Sequence, residues 1–208
     1  SIDTEKTTTT VSEEGVLLVE DTITSVKISK VDIADGKELE GATIQLINKE
    51  TGEVVEEWTS TNKAHEVTGL TTGKTYILRE TVAPEGYSIT SDTTFELKED
   101  GSIDTEKTTT TVSEEGVLLV EDTITSVKIS KVDIADGEEL EGATIQLIDK
   151  ETGEVVEEWT STNEAHEVTG LITGKTYILR ETVAPESYSI TSDTTFELKE
   201  DGSIDTEK

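Results

Sequence analysis

Residues 25–59 read SVKISKVDIADGKELEGATIQLINKETGEVVEEWT. Three short runs rich in Val, Ile and Thr, near 25–31, 42–47 and 53–59, are separated by Asp35-Gly36 and by Glu50-Thr51-Gly52. Glycine supplies the backbone freedom that tight turns need, and β-branched residues fit a pleated surface, so the stretch alternates strand and turn. The punctuation continues at Thr72-Gly73, Asp100-Gly101 and Glu115-Gly116, with further strands near 63–68, 74–81, 93–98, 103–111 and 117–123. About eight short strands at regular spacing, with no helical stripe, predict an all-β, two-sheet sandwich.

That pattern occurs twice. Residues 1–101 and 102–202 align without a gap and differ at five positions: Lys37/Glu138, Asn48/Asp149, Lys63/Glu164, Thr71/Ile172 and Gly86/Ser187. A period of 101 residues is too long for a solenoid unit and suits an independently folding domain repeated in tandem. A third copy starts at Ser203, so chain ends and domain ends need not coincide.

Composition removes several functions. The chain carries 47 acidic and 17 basic residues, a formal charge of -30, which opposes binding to nucleic acid or to an anionic membrane surface. The longest aliphatic run, Val16–Val19, is far below the roughly 20 residues that cross a bilayer. There is no cysteine for a disulfide, and no methionine, so the sequence reads as a piece of a longer protein. Apolar content is only 32%, yet patterned, which predicts sparse cores and not disorder.

Side chains alternate faces along a strand, so each ionisable residue can be assigned a side. In Val26–Lys30 the inward set is Val26, Ile28 and Lys30, with Lys27 and Ser29 toward water. Glu80 is in phase with Tyr76 and Leu78, and Asp122 with Leu118 and Val120. Two readings stand. Each charge can sit at a strand end where alternation lapses and snorkel to solvent. Alternatively all three are inside, where an unpaired charge costs several kcal/mol and they must pair, neutralise or react. Desolvation favours uncharged forms: an amine that is a nucleophile, and a carboxyl that is an electrophile once polarised. A second acid could donate to the carbonyl and shuttle protons until water leaves. The product is an amide between side chains.

Val26–Asp32 (VKISKVD), Gly41-Ala42-Thr43, and Tyr76–Tyr87 (YILRETVAPEGY) resemble the B-type domain of collagen adhesin, CnaB, a stalk module of Gram-positive surface adhesins and pilins. Glu80 to Tyr87 resembles the family's E-box, and the resemblance spans each repeat. It implies reverse-immunoglobulin-type sandwiches, an extracellular, cell-wall-anchored parent and a spontaneous isopeptide bond between a first-strand lysine and a last-strand Asn or Asp, assisted by the E-box glutamate. Matched by motif, these are Lys30, Asp122 and Glu80, with water as the leaving group. The same match divides the chain into residues 1–24, the C-terminal strand region of a preceding repeat, a first domain at 25–125, and a second at 126–208 lacking its own last strand.

Two departures follow. Gly86 of the E-box is Ser187 in the second repeat, which costs on the order of 1 kcal/mol if that turn needs positive φ. Lys131 and Glu181 match Lys30 and Glu80, but the spare copy of their aspartate strand is Val16–Asp21, at the other end of the chain. Residues 16–22 either complete the second repeat of a preceding molecule, joining Asp21 to Lys131 head to tail, or belong to a longer tandem array in which such strands are contiguous. The expected partners are further copies of the repeat, with a distal adhesive domain beyond them.

The remaining features point elsewhere only weakly. His65 and His166 have no second histidine nearby and read as ordinary surface positions without a metal. Acidic loops such as Asp32–Gly36 lack the ligand spacing of an EF-hand, though a calcium- or ligand-binding surface module is the competing class of function. The Thr7–Thr10 run, repeated at 108–111, reads as an edge strand or a glycosylated segment. Trp58 reads as half-buried packing. No nucleophile elbow, phosphate loop or nucleotide fingerprint occurs, so neither turnover catalysis nor a cofactor is expected.

Overall fold

The computed structural model describes residues 10–206 except Gly15 and Glu20. The run Thr7–Thr10 therefore lies outside the described residues except for Thr10. The first repeat forms β1 (Ser25–Asp32), β2 (Thr43–Asn48), β3 (Val54–Thr59), β4 (His65–Thr68), β5 (Thr75–Val82), β6 (Thr93–Glu96), β7 (Thr111–Val112) and β8 (Leu118–Asp122). The second forms β9 (Ser126–Ile129), β10 (Thr144–Asp149), β11 (Val155–Thr160), β12 (His166–Thr169), β13 (Thr176–Val183) and β14 (Thr194–Glu197). The fold is all-β, two immunoglobulin-like sandwiches in tandem, and among the described residues no helix is long and apolar enough to cross a membrane.

The first sandwich sets the sheet β4-β1-β8-β7 against the sheet β3-β2-β5-β6. Alternation places Ile44, Leu46, Leu78 and Phe95 from one sheet, and Ile28, Leu118 and Val120 from the other, in one buried cluster. The strands that begin and end the domain lie side by side and parallel, with Ile28 opposite Leu118, Lys30 opposite Val120 and Asp32 opposite Asp122. Parallel neighbours need a long crossover, and here the crossover is the rest of the domain. The second repeat keeps the sheet β11-β10-β13-β14, but its other sheet is only β12-β9.

Two strand-level expectations need correction. Ser29 is buried, not solvent-facing, because the loop after β1 folds back over that face: Leu39 N donates to Lys30 O at 2.7 Å, and the Ser29 hydroxyl donates to Glu38 Oε1 at 2.7 Å. The expected strand at 103–111 contracts to an isolated bridge at Ile103 and the short β7. Asp104 breaks it: its carboxylate accepts from Glu106 N at 3.2 Å, and its carbonyl accepts from Lys107 N and the Thr108 hydroxyl at 3.1 and 2.7 Å. Such local side-chain bonds offer the backbone an alternative to a ladder.

Candidate functional site: a lysine and two carboxyls sealed between the sheets

The pleat of β1 turns Lys30 inward between Ile28 and the β8 strand, and β8 brings Asp122 inward in the same way. The Asp122 carbonyl accepts from Ile33 N at 2.9 Å, extending the β1–β8 ladder past the side chains it must hold. Glu80 comes from the facing sheet. It pairs with Ile44 at a bulge where the register of β2 and β5 shifts between Thr43 and Ile44, the kind of irregularity that re-aims a side chain. Its Oε2 accepts from Thr90 N at 2.9 Å, which fixes the carboxyl.

The three side chains are fully sealed, each with 0% exposure. Lys30 Nζ contacts Asp122 Oδ1 directly and lies 3.0 Å from Glu80 Oε1. That Glu80 oxygen and Asp122 Oδ2 nonetheless have no hydrogen-bond donor, because the lysine approaches Glu80 without hydrogen-bond geometry. Burial pushes the Asp122 carboxyl up to about 7, with Lys30 opposing the shift and Glu80 adding to it. A proton on one of the two carboxyls would supply the donor that both orphan oxygens lack.

The segment after β5 is tied to its neighbours by two side-chain links. Tyr87 donates its hydroxyl to Asp32 Oδ2 at 2.7 Å, a bond that with burial raises the tyrosine to about 12. Arg79 grips Asp92 through Nε at 3.0 Å and a terminal nitrogen at 2.6 Å. Sequence reasoning did not find Thr90 or Asp32 as supports. Thr90 acts through its backbone and leaves no side-chain signal, whereas the Tyr87–Asp32 bond joins positions 55 apart.

In the second domain Lys131 Nζ lies 3.3 Å from Glu181 Oε1, and Glu181 Oε2 accepts from Thr191 N at 2.7 Å. The Lys131 side chain is 17% exposed and, among the described residues, pairs with no aspartate. Asp21 is exposed and lines a cleft with Thr72, Glu99 and Asp100 of the first domain, and no ion pair joins it to Lys131.

The histidines are not ordinary surface positions. His65 stacks on Trp58, with centroids 4.3 Å apart, and its Nε2 is 2.7 Å from Glu56 Oε1; His166 repeats this on Trp159 and Glu157. In the Asp32–Gly36 loop Asp32 accepts from Ala34 N and Tyr87, and Asp35 pairs with Lys37. Among the described residues no group of three or more His, Cys, Asp or Glu is arranged to hold a metal ion.

Fold and site together define a tandem of β-sandwiches, each with a lysine–glutamate pair between its sheets. The chain matches the SpaA family, the prealbumin-like fold domain, over residues 24–111 and again over 125–208, and it belongs to that family. Among solved structures it is similar to the Bacillus anthracis TIE protein, with 29% identity and a TM-score of 0.50 over 88% of this chain. It spans only 33% of that protein. A streptococcal ancillary pilin matches at 23% identity and TM-score 0.41, covering 86% of this chain and 60% of that one. The shaft pilin SpaA of Lactobacillus rhamnosus GG matches at 15% and 0.37, covering 86% and 94%. No curated protein sequence matches.

Proposed function

We propose that the chain is a stalk segment of a Gram-positive surface adhesin or pilus, displayed outside the cell, whose first domain is locked by a self-formed amide between Lys30 and Asp122. The observation that carries this reading is the dry contact of Lys30 Nζ with Asp122 beside Glu80. Family membership supports the structural role.

With Lys30 charged, Glu80 charged and Asp122 protonated the trio is neutral overall. Moving one proton from Lys30 to Glu80 gives a free amine beside two neutral acids without bringing any charge in from water. The amine attacks Asp122 Cγ, Glu80 donates a hydrogen bond to the carbonyl oxygen, the C–N bond forms, the C–O bond breaks, and one water leaves. The event occurs once per domain, so it is not turnover. Lys131 and Glu181 supply the same chemistry to any aspartate that the equivalent strand brings.

The bond closes a loop between residues 92 apart, which on the loop-entropy argument for disulfides contributes roughly 4 to 5 kcal/mol. The mechanical effect is larger. Tension entering at β1 and leaving at β8 would pass through the amide and bypass the intervening strands, giving resistance to force and to proteases without cysteine. The charge of -30 keeps such a stalk soluble and apart from its neighbours.

Intact-mass measurement of the unfolded chain tests the proposal. The expected result is a mass about 18 Da below the sequence value, one water per bond, that Lys30→Ala restores to its full value. A deficit that persists in the variant would refute the assignment.

A further inference from the structure

Residues 123–125 join the two repeats, and each of the three is tied to a neighbour. Thr123 O accepts from Ser88 N and from the Ser88 hydroxyl, both at 3.2 Å. Ile124 bridges Tyr87, and Thr125 N donates to Gly86 O at 2.9 Å. The loop after β5 thus lays residues 86–88 along the connection as a short antiparallel ribbon. Thr123 directly follows Asp122, so the ribbon starts where β8 ends.

On its other side the connection is stitched to the second domain. Gly170 N donates to Thr125 O at 2.9 Å, and the Thr125 hydroxyl donates to Leu171 O at 2.6 Å. The same stitch holds Thr24 to Gly69 and Leu70, so it belongs to each repeat's own fold. What the junction adds is the loop after β5. That loop also reaches the second domain directly, since Ile89 N donates to Glu200 O at 2.9 Å. The next amide along, Thr90 N, is the one that holds Glu80.

Domains joined by a connection move against each other unless their interface holds them. Two observations show that this interface holds. Thr125 is 2% exposed and Gly86 is buried, so their amide, carbonyl and hydroxyl groups depend on the contacts just named. Turning one domain on the other would leave those groups without a partner. The fit is also close. A Cβ on Gly86 would sit 3.0 Å from Gly170 O, and one on Gly202 would sit 3.2 Å from Ser88 Cβ. At Gly86 backbone meets backbone, with no side chain between them to repack.

We propose that the loop after β5 is a clamp for the repeat that follows it, holding the second domain at one orientation on the first. Its partner surface is the corner formed by Thr125, Gly170 and the turn at 200–202. The tandem is then one stiff body and not two domains on a tether. The clamp stands on its own contacts and needs no amide. Position 86 sets how closely the partner seats: of the five differences between the repeats, Gly86/Ser187 is the one in this loop, and a serine at 86 would press on Gly170.

A pair of spin labels, one on each domain, tests this in the full 208-residue chain, which has no cysteine of its own. Thr59→Cys and Thr160→Cys, both at exposed strand positions, carry the labels, and pulsed electron paramagnetic resonance reads the distance between them. The expected result is one narrow distance, which Ser88→Trp, wedged against Gly202, replaces by a broad spread. Gly86→Ser should broaden it less. Thr125→Val keeps the side-chain shape, removes the hydroxyl donor and should also broaden it, which covers the case in which the tryptophan unfolds the first domain. Ser189→Trp, the same substitution in the second domain's copy of the loop, should leave the distance unchanged. A broad spread in the labelled chain without further substitution overturns the clamp, and so does a narrow distance that survives all three junction variants. Equal broadening by Ser189→Trp overturns the assignment to this loop. The mass deficit of the Lys30 bond is read separately, and neither result decides the other.

Discussion

The two domains differ at few positions, yet Lys30 is sealed from water while Lys131 touches it. Their first strands are the same residues, but β1 runs for eight and β9 for four. Val31 is 4% exposed and its counterpart Val132 is 42% exposed. Leu78 and Phe95 are fully buried, whereas Leu179 and Phe196 are only partly so. None of the five sequence differences lies in these strands' contact with β8, so the cause is the neighbour. Leu118 and Val120 close one side of the first core, and Asp122 arrives with them. Burial of the lysine is thus a property of the completed sandwich and not of the strand that carries it.

Removing the lysines separates the domains most sharply. Lys30→Ala should lower the first domain's melting transition by about 20 to 30 °C, from the lost crosslink alone. Lys131→Ala should move the second domain's transition far less, since Lys131 is partly exposed and pairs only with Glu181 among the described residues. Differential scanning calorimetry on both variants checks this, and equal shifts would break the comparison.

Converting the first domain toward the second comes next. Leu118→Ala removes a fully buried side chain from β8 and should destabilise the first domain by about 2 to 5 kcal/mol. It should also slow amide formation by letting water reach Lys30. Time-resolved mass after refolding measures the second effect, and an unchanged rate would show that dryness does not drive the reaction.

A pH profile distinguishes linked from unlinked states. Glu80→Gln should leave the bond unformed, so Asp122 keeps titrating. Burial, the largest cause of the rise, still holds that carboxyl above its unfolded value of 3.8 when the smaller contribution of the Glu80 charge is gone, so the folded state binds the extra proton. Its stabilising contribution is complete below about pH 4 and is lost as pH rises through the raised folded value. The linked wild type has no such carboxyl and should lack that decline. Denaturant titrations at pH 4 to 8 would show it, and parallel profiles would contradict it.

The fold is legible because glycine turns and period-two alternation agree across the repeat, and the same alternation puts Lys30, Glu80 and Asp122 in phase with the inward-facing residues. Where the reading failed, a non-local or side-chain event overrode the period. The loop folding over Ser29 and the Asp104 turn are two cases. The stacking of His65 on Trp58 is a third, since it joins strands that the sequence does not show to be neighbours. The turn at Gly86 does require positive φ, the condition under which serine is costly there: Gly86 has φ +83° and Ser187 keeps φ +72°.

That last position yields the smallest expected effect. Ser187→Gly should stabilise the second domain by about 1 kcal/mol by removing a left-handed serine. The reverse change, Gly86→Ser, should also disturb the junction, because a Cβ there would sit 3.0 Å from Gly170 O. Thermal unfolding of the two variants would show whether strain or contact dominates.

The central claim is a covalent link between β1 and β8, and proteolytic peptide mapping by tandem mass spectrometry tests it most directly. The account predicts a branched fragment containing Lys30 and Asp122, one water lighter than its two peptides, whose fragment ions place the junction on those side chains. Recovery of both residues only in separate linear peptides of full mass would contradict it.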